Sequence, residues 1–107
     1  DDTLLVRGRV NTELVALLFQ WLNEGKRLVL LTRHVADPHA TLALHRLGAV
    51  FDRVIHLTAS ESKAAHIEGS TAIVIDDSFR ERMEIETETG IATFDCSMLE
   101  LLRDDRI

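Results

Sequence analysis

Cysteine is almost absent from this 107-residue sequence, and its single representative, Cys96, excludes an internal disulfide. No Cys/His spacing resembles a zinc site, so Cys96 is expected to be a small core residue. Also missing is any run near the roughly 18 apolar residues of a membrane-spanning helix, and no membrane partner is expected. The opening Asp1-Asp2-Thr3 has neither the basic flank nor the apolar stretch of a signal peptide, which makes a cytoplasmic setting the expectation. Lys and Arg form no stripe, and a net charge of −6 opposes nonspecific nucleic-acid binding, so no nucleic-acid partner is expected. With no repeats, low-complexity tracts or linkers, residues 1–107 read as a single domain.

What is present is ordinary for a globular chain: 46% hydrophobic and 28% charged residues. A chain of this length buries roughly two thirds of its unfolded surface and needs no staple. Residues 11–25 carry the clearest helical pattern, with Leu14, Leu17, Leu18, Trp21 and Leu22 on one stripe, Asn11 as N-cap and Gly25 as terminator. Residues 27–32 form a short continuous apolar run, expected as a strand buried on both faces of a parallel sheet. Asp37 and Pro38 then open a second helix with Ala40, Ala43, Leu44 and Leu47 as its buried stripe and Gly48 as its end. Further strands are expected over 54–57, 71–75 and 91–94, and further helices over 61–67, 78–88 and 97–103.

This alternation implies an α/β fold, a doubly wound parallel sheet with right-handed crossovers and helices on both faces. In such sheets the ligand sits at the carboxyl ends of the strands. The polar residues there are Asp1, Asp2 and Thr3, then Thr32, then Lys63, then Asp76 and Asp77. Carboxylates bind Mg²⁺, a hydroxyl donates to a phosphoryl oxygen and a lysine balances negative charge, which are the parts phosphoryl transfer needs. Each residue alone has a plainer reading: Asp76-Asp77 as a helix N-terminus favoured by the macrodipole, Thr32 as a loop cap, Lys63 as a solvated helix lysine.

The joint order resembles the haloacid dehalogenase superfamily, which carries Asp-x-Asp-x-Thr, then Thr or Ser, then Lys, then an acidic pair. Asp1-Asp2-Thr3-Leu4 is similar to the end of the first motif, Leu30-Leu31-Thr32-Arg33-His34 to the second, Ser60-Glu61-Ser62-Lys63 to the third, and Ile73-Val74-Ile75-Asp76-Asp77 followed by Glu81 to the fourth. The resemblance covers essentially the whole chain. It implies a Rossmann-like core and a Mg²⁺-dependent phosphohydrolase or phosphotransferase acting on a phosphorylated substrate through an aspartyl-phosphate. Asp1 would be the general acid/base and lend its backbone carbonyl to the metal, Thr32 the phosphate-binding hydroxyl, Lys63 the charge-balancing amine, and Asp77 or Asp76 the carboxylate ligand of Mg²⁺.

The nucleophile and the first strand would lie just upstream of Asp1, so the chain is expected to be an excerpt of a longer polypeptide. Neither gap in which the superfamily inserts a cap is long enough here, which implies a capless member with an open site, a feature associated in the superfamily with large substrates or with help from another subunit or from other domains of the same polypeptide. Arg33 and His34 are the expected substrate contacts. The other histidines lack ligand spacing, and the charged run from Arg80 to Glu88 is expected as an exposed helix face with i,i+4 pairing. An alternative is a noncatalytic regulatory or structural module, since the chain also resembles domains attached to ATP-grasp proteins related to carbamoyl-phosphate synthases. A phosphoacceptor receiver domain is excluded by order, because no aspartate at the end of a third strand precedes Thr32.

Overall fold

The computed structural model describes residues 3–34, 36–67 and 71–103. Strands β1 (Leu5–Val6) and β2 (Arg9–Val10) form a small antiparallel hairpin, paired Leu5 to Val10 and Val6 to Arg9. Its two-residue turn, Arg7-Gly8, has φ of 54° and 75°. Two positive φ values are what a type I′ turn requires, and they match the twist of the flanking strands.

Helix α1 (Thr12–Asn23) follows directly, its N-terminus capped by the Asn11 side chain, which accepts from the Leu14 amide at 3.2 Å. The expected stripe is the buried one: Leu14, Leu17 and Leu18 are buried, and Trp21 and Leu22 pack against the same cluster. Strand β3 (Val29–Thr32) pairs in parallel with β4 (Arg53–His56), in register from Val29 with Arg53 to Thr32 with His56. Strand β5 (Ile73–Ile75) pairs in parallel with β6 (Ala92–Phe94). Between the strands lie α2 (Pro38–Leu44), a 3₁₀ turn (Lys63–His66) and α3 (Phe79–Thr89), and after β6 come a second 3₁₀ turn (Cys96–Met98) and α4 (Leu99–Leu102).

The α/β alternation with parallel pairing is therefore present, as two separate parallel ladders instead of one continuous sheet among the described residues. Both ladders feed one core: Leu30 and Val54 of the first and Ile75 of the second pack against the cluster built from Leu17, Leu28, Leu42, Leu47 and Leu99. Val29, 43% exposed, differs from the expectation that its strand is buried on both faces.

Helix α2 buries a different face from the one expected. Pro38 and Leu42 are buried, whereas Ala40 and Ala43 are exposed and Leu44 is 78% exposed. The two candidate faces, 38-41-42-45 and 40-43-44-47, have the same helical spacing, so periodicity alone does not choose between them. Arg46, at φ 61°, breaks the helix, and Leu47 reaches the core from beyond it. At α3, Ser78 caps the N-terminus by accepting from the Glu81 amide, and Gly90 ends the helix at φ 71°. No helix among the described residues is long and apolar enough to cross a membrane.

Candidate functional site

The register that aligns Thr32 with His56 puts the carboxyl ends of β3 and β4 side by side, and the loop after β4 carries Lys63 into the 3₁₀ turn. Thr32 is buried at 3% exposure, and its Oγ1 accepts the His34 amide at 3.0 Å, so it does cap its loop. That contact uses an acceptor lone pair and leaves the hydroxyl proton to donate.

Lys63 is buried instead of solvated. Its Nζ lies 2.7 Å from Asp76 Oδ2 and 3.1 Å from Glu81 Oε2. Asp76, 4% exposed, completes its coordination by accepting the Ser78 amide at 2.9 Å on Oδ1. A buried carboxylate without such partners would carry a desolvation penalty of several kcal/mol, so lysine and aspartate each make the other's burial tolerable.

Glu81 is the hinge between the two ladders. Its Oε1 accepts both Arg33 Nε at 3.1 Å and Arg33 Nη2 at 2.7 Å, while Arg33 Nη1 donates to the Thr58 carbonyl at 2.8 Å. Burial alone would push the Glu81 carboxyl upward; hydrogen bonds from Arg33 and Lys63, reinforced by their charges, outweigh it and hold the group below the usual carboxylate range. The same contact, above all the Glu81 hydrogen bond, raises Arg33. Arg33, expected as a substrate contact, is thus tied to Glu81 and Thr58. The His34 backbone carbonyl accepts from His56 Nε2 at 2.5 Å.

Asp77 sits beside Asp76 but faces outward. Its Oδ1 accepts the Thr3 hydroxyl at 3.1 Å, and its own amide donates to Thr3 Oγ1 at 3.2 Å. This reciprocal pair binds the loop after β5 to the chain's opening segment, 74 residues away. Asp1, the expected acid/base and metal ligand, and Asp2 lie outside the described residues.

The charged run on α3 is not a uniformly exposed face. Glu81 turns to Lys63 and Arg33, Arg82 donates to the Asp76 carbonyl at 2.7 Å and approaches Asp95 at 3.7 Å, and Glu84 accepts the Ser62 hydroxyl at 2.5 Å. These partners lie on other elements, in place of the expected pairing along the helix. Arg82 was not legible as a site residue; the signal available was its place one turn after the acidic pair.

Mg²⁺ takes hard oxygen ligands, needs only one or two carboxylates, and fills its remaining octahedral positions with water and substrate phosphate. Asp76 and Asp77 fit in kind, and Asp77, exposed and bound through one oxygen to a neutral hydroxyl, is the freer of the two. Among the described residues no group of three His, Cys, Asp or Glu side chains converges as a closed metal cage. No protein-family model, curated protein or solved structure matches the chain.

Proposed function

We propose that this chain is the phosphoryl-binding core of a Mg²⁺-dependent phosphohydrolase or phosphotransferase of haloacid dehalogenase type. The observation that carries this reading is the convergence of four separated segments: Thr3 on Asp77, Lys63 on Asp76, and Arg33 and Lys63 on Glu81, with Thr32 closing the same strand end. Such gathering of a hydroxyl, an ammonium and an acidic pair at the carboxyl ends of parallel strands suits a site where charge develops on phosphoryl oxygens.

In this reading Thr32 donates its hydroxyl proton to a phosphoryl oxygen. Lys63, an ammonium with three donors and two carboxylate partners, keeps a donor for the same group. Asp77, the freer carboxylate, with Asp76 beside it, would hold Mg²⁺, which would supply neutralisation of the phosphoryl charge. Asp1 protonates the leaving oxygen as a carboxylate nucleophile, placed by the family pattern two positions before Asp1, takes the phosphoryl group; water then cleaves the acyl-phosphate. The same proposal includes one doubly wound sheet: among the described residues β3 and β5 each pair along one edge, and a further parallel strand between them would join the two ladders.

The test is hydrolysis of para-nitrophenyl phosphate by the full-length polypeptide with Mg²⁺. Asp77→Asn and Thr32→Val are each expected to lower kcat by ~100-fold or more, the scale for removing one transition-state contact. Turnover equal to that of the unmodified protein in both variants would overturn the assignment.

A further inference from the structure

Beside Thr32 a cavity of about 250 Å³ opens between the β1–β2 hairpin and helix α2. Its floor is apolar, made by Leu4, Leu30, Pro38 and Leu42, and its rim carries Arg7 and His34. Thr32 itself forms part of the wall, so the cavity adjoins the place where its hydroxyl would hold a phosphoryl oxygen. None of Lys63, Asp76 or Glu81 lines it; the cavity extends the proposed site without repeating it.

We propose that this cavity receives the alcohol part of a phosphate monoester, and that this part is apolar and about the size of one aromatic ring. The inference rests on the phosphoryl-site reading above and adds the substrate class. An apolar cavity of ~150 Å³ holds benzene, so the volume here admits a ring with a short linker. The rim complements the other half of such a molecule: Arg7 has no ion pair among the described residues, and its charge favours a phosphoryl dianion arriving at Thr32. A sugar or polyol would leave its hydroxyls facing leucine and proline without partners, which costs binding. Specificity thus comes from the hairpin and α2, elements of the core fold, with no inserted domain.

Two positions separate the parts of this idea. Thr41 lines the cavity from α2 and takes no part in the proposed phosphoryl site, so Thr41→Phe fills the space while Lys63, Asp76 and Asp77, which do not line it, stay as they are. Arg7→Asn removes the rim charge while retaining a residue that tolerates the positive φ of the hairpin turn. The measurement is calorimetric binding of benzylphosphonate and methylphosphonate to the intact polypeptide with Mg²⁺. Benzylphosphonate is expected to bind ~10-fold more tightly, as burial of a ring predicts. Thr41→Phe should bring it down to the methylphosphonate value while leaving methylphosphonate unchanged, which also shows that the variant is folded; Arg7→Asn should weaken both ligands alike. Equal affinity for the two ligands, or a preference untouched by Thr41→Phe, overturns the substrate class and leaves the phosphoryl site standing. Binding of neither overturns the phosphoryl site and this inference with it.

Discussion

Lys63 Nζ and Asp76 Oδ2 lie 2.7 Å apart with side chains only 9% and 5% exposed, joining the loop after β4 to the end of β5. Because Lys63 has a second carboxylate in Glu81 at 3.1 Å, the two partners are not equivalent. Removing the lysine leaves Asp76 buried with one amide donor and Glu81 as a neighbouring like charge; removing the aspartate charge leaves Lys63 still paired.

Lys63→Met is therefore expected to destabilise the fold by about 3 kcal/mol, the scale for uncovering one buried charge. Asp76→Asn should cost only about 1–2 kcal/mol, the scale of a weakened buried hydrogen bond. Urea unfolding of the two variants measures the order, and a larger loss in Asp76→Asn would contradict the asymmetric pairing.

Glu81 gives a pH dependence of defined sign. Its folded-state carboxyl is held below the ordinary value, so as pH falls below about 4.3 the unfolded chain takes up the proton first. The stabilisation from Glu81 is then complete above that pH and lost as pH descends through the lowered folded value. With the Arg33 partner 30% exposed and screened by solvent, its contribution near neutrality is about 1 kcal/mol. Unfolding free energies of the unmodified protein and Glu81→Gln should differ at pH 7 and converge as the pH falls through the lowered folded-state value.

Cys96 should react slowly. Burial is the main influence raising its thiol, and the charges of Asp77, Asp95 and Asp76 add to it. Since the thiolate is the nucleophile, alkylation by iodoacetamide at pH 7.5 is expected to run at least ~10-fold below free cysteine and to recover in urea. Alkylation as fast as that of free cysteine would place the thiol in a different setting.

Gly90→Ala should destabilise by about 1 kcal/mol through backbone conformation alone. Its φ is 71°, and an added Cβ would meet nothing within 4 Å, so no steric clash contributes. Gly90→Asn should cost less, because asparagine tolerates this conformation better. The comparison is made by thermal unfolding monitored by circular dichroism.

Much of the fold was legible because its signals are local. Asn11 and Ser78 cap the helices they precede, Gly90 ends α3, and the leucine stripe of α1 is the stripe that packs. The hairpin at residues 5–10 was missed, although a two-residue turn ending in Gly8 between Leu5-Val6 and Arg9-Val10 is a hairpin signal. For the site, the motif order identified Thr32, Lys63, Asp76 and Asp77 as candidates. It did not show that Arg33 would be tied to Glu81, or that Lys63 would be buried.

The sequence by itself determined the alternation of elements, their caps and the polar residues that end its strands, since these depend on neighbours within a few residues. Only the tertiary structure decided which face of α2 is buried, which carboxylate each cation takes, and that Thr3 meets Asp77 across 74 residues. Two α2 faces with equal periodicity differ only in what lies opposite them, and charge pairs form wherever packing brings them within a few ångströms, whatever their separation along the chain.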